Sequence, residues 1–140
     1  MSTPKSEVLN QVTIHQVALF CEDITATRTF YEELLGARFL AEFNPPGLLF
    51  FKFGETRLLL DQNGKPGLVY FRVEDIENKV ALLKELGVQF ESDVHAVFKD
   101  DEGLFGKVGD TEFMAFFKDP SENMLALVQQ KLVQQKSSPV

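Results

Sequence analysis

At 140 residues, with a net charge of −7 and a single cysteine, the chain is long enough to bury a core as one domain without disulfide staples. The acidic balance and the absence of any Lys/Arg run exclude a nucleic-acid surface, since phosphate neutralisation supplies most of that affinity. No apolar run reaches the ~18 to 20 residues that span a bilayer, and no apolar leader opens the chain, so a reducing cytoplasm is the expected compartment.

Residues 1–10 and 130–140 are polar and unpatterned and are expected to fray. Between them the single domain reads as two units, at about 12–62 and 67–130. The first opens with a strand over 13–21 and a helix from about 25 to 35. Asp23 or Thr25 can cap that helix, Ala26, Phe30 and Leu34 share one face, and Gly36 ends it. An extended stretch over 37–42 leads through Pro45-Pro46-Gly47 to strands at 48–53 and 56–60, joined by a Gly54-Glu55 turn. The result is a βαβββ unit.

Asn63-Gly64-Lys65-Pro66-Gly67 then resets the chain. A strand is expected at 68–73 and a helix from about 76 to 86, with Asp75 matching Asp23 as its cap and Gly87 as its stop. Strands follow near 88–98, 112–117 and 124–129. A Gly-rich acidic loop over 99–110 breaks the symmetry and is a candidate mobile lid. The order of elements thus repeats, and so do the residues. Val17-Ala18-Leu19-Phe20-Cys21-Glu22-Asp23-Ile24 is answered by Val69-Tyr70-Phe71-Arg72-Val73-Glu74-Asp75-Ile76, 52 residues on. Phe50-Phe51-Lys52 is answered by Phe116-Phe117-Lys118. One supersecondary unit occurs twice.

Cys21 ends an apolar strand with no basic neighbour and reads as a buried structural thiol. Fourteen phenylalanines against two tyrosines and no tryptophan point to an aromatic core and to walls suited to apolar ligands.

The duplicated unit, with His15-Gln16-Val17-Ala18-Leu19, Phe30-Tyr31-Glu32-Glu33-Leu34-Leu35-Gly36 and Phe116-Phe117-Lys118-Asp119-Pro120-Ser121-Glu122-Asn123, resembles the vicinal oxygen chelate superfamily. Glyoxalase I, bleomycin-resistance proteins, extradiol dioxygenases and methylmalonyl-CoA epimerase belong to it. The resemblance covers residues 12 to 130 and implies an α+β fold in which two tandem βαβββ units form an incomplete barrel, often in a homodimer, around a divalent metal. It places the first metal ligand at Gln16 and the other three at Leu59, Leu68 and Ala126. Three of these four side chains are aliphatic and offer no lone pair, so the usual centre is expected to be missing and no cofactor is expected. A displaced metal site would have to draw on His15, His95, Asp61 or Glu112.

The expected function is binding of a small, mainly apolar molecule. Gln16, Tyr70 and His95 are the polar anchors and Leu59, Leu68 and Ala126 the walls. His95 is the one candidate for acid-base catalysis, and Arg72 is a further hydrogen-bond donor near its strand's end. The alternative is a metal-dependent lyase, isomerase or dioxygenase with displaced ligands.

Overall fold

The computed structural model describes residues 6–133; the fraying expected at 1–5 and 134–140 lies outside them. The chain divides into two compact units, with the boundary between Lys65 and Pro66.

The first unit runs β1 (Gln16–Phe20), α1 (Ile24–Arg28), β2 (Arg38–Phe43), β3 (Leu48–Phe53) and β4 (Thr56–Asp61). Its strands lie in the order β1-β4-β3-β2, with β1 parallel to β4 and the other pairs antiparallel. Residues alternate between the two faces. Leu49, Phe51, Leu58 and Leu60 are buried on one of them, under the helical segment, whose Tyr31 ring sits 5.4 Å from that of Phe51. Fully burying side chains of this size contributes about 2–3 kcal/mol each.

Two expectations for this unit need correction. The strand expected from residue 13 begins at Gln16. The chain before it is nonetheless tied to β4, because the Thr56 hydroxyl donates to the Ile14 carbonyl at 2.9 Å and the Arg57 N–H to the His15 carbonyl at 2.9 Å. The helix expected over 25–35 forms in two pieces, since α1 passes without a break into a π-helical segment, Thr29–Leu34. There the Leu35 N–H donates to the Phe30 carbonyl, five residues back, at 3.0 Å. A π turn brings successive side chains closer in angle than an α turn does, and the neighbours Phe30 and Tyr31 are both buried. Asp23 caps α1 as expected, its Oδ1 accepting the Ala26 N–H at 2.9 Å.

The second unit repeats the plan with β5 (Leu68–Arg72), α2 (Ile76–Glu85), β6 (His95–Lys99), β7 (Thr111–Lys118) and β8 (Met124–Lys131), in the order β5-β8-β7-β6. Ala115, Phe117, Leu125 and Leu127 bury its inner face. Asn123, wholly buried, closes the turn into β8. Its Nδ2 donates to Asp119 at 2.8 Å, while its Oδ1 accepts the Gly67 N–H at 3.0 Å and so fixes the start of β5.

Here too the structure corrects the sequence reading. The strand expected near 88–98 shrinks to a single bridge from Phe90 to Phe117 before β6 begins at His95. Asp75 does not cap α2. Its backbone is left-handed, φ 52°, and its side chain makes no cap bond, because a capping side chain needs an extended residue at that position. The role passes to Gln129 of β8, whose Oε1 accepts the Ile76 N–H at 2.9 Å. The fold is thus α+β, with two open four-stranded sheets and no closed barrel.

Candidate functional site

In each unit the sheet face opposite the helix holds the residues singled out by the sequence. On the first sheet that face has three cross-strand rows. Gln16, Arg57, Lys52 and Arg38 form one, Ala18, Leu59, Phe50 and Ala41 the next, and Phe20, Asp61, Leu48 and Phe43 the third. Gln16 and Leu59, picked from the sequence as anchor and wall, therefore share a face. The Phe43 and Phe50 rings meet edge-on at 6.0 Å, and the Arg57 guanidinium lies 5.6 Å from the Phe50 ring centre. His15 lies just before β1 and is exposed.

On the second sheet the corresponding face carries Leu68, Met124 and Lys118, then Tyr70, Ala126 and Phe116, then Arg72, Val128, Met114 and His95, and at the far end Gln130, Glu112 and Phe98. Leu68, Tyr70, Ala126 and His95 thus stand on one surface. Ala126 is fully buried at its floor, whereas Leu68 and Tyr70 are 46% and 51% exposed. Phe116 joins two of them, 6.1 Å edge-on from Tyr70 and 6.1 Å stacked on His95. The His95 Nδ1 lies 2.8 Å from the Asp93 carbonyl. A carbonyl only accepts, so Nδ1–H donates and a neutral ring turns its Nε2 lone pair outward. Arg72 donates to Gln130, and Gln130 to Glu112, each at 3.5 Å.

The loop over 99–110 is built around Asp100, which is buried. Its two carboxylate oxygens accept the N–H groups of Leu104 at 2.7 Å and Phe105 at 2.9 Å. Those backbone donors, Phe105 first, hold the carboxyl below the ordinary aspartate value of 3.8. Beside the loop a hollow of about 500 Å³ lies against the ends of β5 and β8, lined by Arg72, Glu74, Phe105, Lys107, Asp110 and Gln130 among others. On the helix side of the sheet Lys131 grips Glu77 at 2.6 Å, and that hydrogen bond keeps the Glu77 carboxyl low.

The family metal does not fit the residues present. Leu59, Leu68 and Ala126 present only carbon, and among the described residues no group of three or more His, Cys, Asp and Glu side chains is placed to hold an ion. Glu112 already shares Gln130 with Arg72, and Asp61 Oδ1 accepts the Asn63 N–H at 2.8 Å. Cys21 is buried.

Sequence reasoning missed Arg57, Lys52 and Arg38. Lys52 and Arg57 flank the Gly54-Glu55 turn and Arg38 stands on the preceding strand, and the strand register brings the three into one row.

Two βαβββ units, each with a four-stranded sheet whose helix lies on one face, define an α+β protein of the vicinal oxygen chelate class. The chain belongs to the Glyoxalase/Bleomycin resistance protein/Dioxygenase superfamily, whose family model matches residues 13–127. Among solved structures it is similar to a lactoylglutathione lyase from Agrobacterium tumefaciens, with 21% identity, a TM-score of 0.66, and 84% of this chain and 92% of that one covered. It is also similar to a glyoxalase/bleomycin resistance protein/dioxygenase from Alicyclobacillus acidocaldarius, with 21% identity, a TM-score of 0.63, and 84% and 91% covered. A virulence protein from Salmonella typhimurium matches at 20% identity and a TM-score of 0.66 over 87% of this chain and 98% of that one. At such identities the likeness is one of fold. No curated protein gives a significant match to the sequence. Among the described residues no helix is long and apolar enough to cross a membrane.

Proposed function

We propose that the chain is a small-molecule binding member of this superfamily, holding a mainly apolar ligand on a helix-free sheet face without the usual divalent metal centre. The observation that carries this reading is the donor set. At the four strand positions where the resemblance expects ligands, only Gln16 has a donor atom, and an amide oxygen alone is a weak hold on a zinc-like ion. Leu59 and Phe50 on one sheet, and Leu68, Ala126 and Phe116 on the other, are suited to burying apolar surface, with Tyr70 and His95 as polar contacts. The reading keeps a homodimer, which rests on the resemblance, and a cytoplasmic location, which rests on the lone cysteine.

Thermal melting against a panel of aromatic and aliphatic small molecules, in the presence of a chelator, tests it. A ligand that binds the native state raises the melting temperature. The rise should persist in chelator, shrink in Leu59→Asp or Tyr70→Ala, and be specific to a subset of compounds. A rise that appears only after zinc, nickel, manganese or iron(II) is added would favour a metal-dependent lyase, isomerase or dioxygenase with displaced ligands.

A further inference from the structure

Three cations stand in one cross-strand row of the first sheet. Arg57 on β4 is the register partner of Lys52 on β3, which is the partner of Arg38 on β2, and Gln16 on β1 closes the row beside Arg57. Like charges directly opposite one another destabilise a sheet, and in a chain of net charge −7 carboxylates are plentiful enough to offset them. None does so. The ion pairs among the described residues engage Arg28, Lys84, Lys99 and Lys131, and none engages Arg38, Lys52 or Arg57. Glu42, the acid nearest Arg38 on β2, belongs to the opposite face and pairs with Arg28. Asp61 lies two rows along β4 from Arg57, about 13 Å at ordinary strand rise.

The row also carries unmet hydrogen-bonding capacity. The Arg57 Nε and the Gln16 Oε1 are both buried without a partner, a condition that costs stability and calls for an explanation. A half-turn of the Gln16 amide exchanges Oε1 for Nε2, so this side chain can donate beside Arg57. The repeat does not demand the arrangement, because the corresponding row of the second sheet reads Leu68, Met124 and Lys118. The adjacent row on the first sheet is wholly apolar, with Ala18, Leu59, Phe50 and Ala41.

We propose that Arg57, Lys52 and Arg38, with Gln16 at the row's end, bind an oxyanion, and that the ligand is an apolar molecule carrying a carboxylate or phosphate at one end. The charged group sits on the cationic row and the apolar body lies along Leu59 and Phe50. The second half of this statement rests on the ligand-binding reading above; the first half stands on the row itself. Guanidinium is the better partner for such a group because its donors match an oxyanion in pairs.

Calorimetric titration of the full chain with 4-phenylbutyrate, 2-phenylethyl phosphate and neutral 4-phenyl-1-butanol tests it, on the wild type, Arg57→Met and Lys52→Gln. At least one acid should bind roughly tenfold or more tighter than the alcohol, and the tighter of the two names the headgroup. Arg57→Met should bring the acid down to the alcohol's affinity while leaving the alcohol unchanged, and thermal melting of the variant checks that it is folded. Equal binding of acids and alcohol, a preference that survives both substitutions, or no binding of any probe would overturn the oxyanion row. Acids bound through Arg57 with no binding of the alcohol would uphold the row and count against the apolar-ligand reading alone.

Discussion

Gln16 and Arg57 are partners across the parallel β1–β4 pair, and each buries a side-chain polar atom that finds no hydrogen bond. A protein retains such atoms at a cost to its stability, and the cost is most readily understood where something else is meant to meet them.

Removing the orphaned atoms should therefore not weaken the fold. Gln16→Leu and Arg57→Met are expected to leave stability unchanged or raise it by about 1 kcal/mol, read by urea denaturation. Thr27→Val is the control, because the Thr27 hydroxyl is also buried without a partner but lies in α1, away from the ligand face. It should be equally benign and should leave ligand binding untouched. A loss of more than about 2 kcal/mol in the first two would mean that these side chains hold the sheet together.

The cap of α2 offers a sharper test of the fold. Gln129→Leu removes the acceptor of the Ile76 N–H and should cost about 1 kcal/mol, as loss of a helix cap does. Asp75→Gly should cost less than that or be stabilising, since Asp75 makes no cap bond and sits at φ 52°, where glycine is unstrained. The reverse order of effects would restore Asp75 as the cap.

Asp100 makes the 99–110 loop sensitive to acid. Its carboxyl is held below the ordinary aspartate value by the N–H groups of Phe105 and Leu104. A depressed folded value means that the stabilisation is fully present above the unfolded value and is lost as the pH falls through the folded one. The stability difference between wild type and Asp100→Asn should be constant at neutral pH and shrink below about pH 4. Hydrogen exchange of the Leu104 and Phe105 amides should quicken in the variant. Amides that exchange at the same rate in both would show that the carboxylate does not hold the loop.

Each unit has one aromatic at the centre of its buried face, Phe51 and Phe117, both wholly buried. Phe51→Ala or Phe117→Ala should each cost about 3–5 kcal/mol. By contrast, Phe43→Ala, at 53% exposed, should cost well under 1 kcal/mol. Denaturant midpoints compared across the three variants measure this directly.

The strands and their order were legible because apolar alternation is local, and because the second unit restates the first with the same Phe-Phe-Lys and Leu-Gly landmarks. Placing Gln16, Leu59, Leu68, Tyr70 and Ala126 on helix-free faces needed only the period of two and the resemblance, whereas parity left the face of His95 open and the β6–β7 register decides it. What stayed hidden depends on strand register and on tertiary contact. Gln129 caps a helix 53 residues away, and Arg38, Lys52 and Arg57 become one row only through two hairpin registers. The π turn escaped notice because Ala26, Phe30 and Leu34, spaced by four, satisfy an α-helical period equally well.

The central claim is a ligand site that works without a metal. The most direct measurement is the metal retained per chain after the purified protein is incubated with zinc, nickel, manganese and iron(II) and free ion is removed, with Gln16→Ala and His95→Ala alongside. The account predicts no retention above background in any of the three proteins. Near-stoichiometric retention that either substitution abolishes would contradict it and make the chain a metalloprotein with relocated ligands.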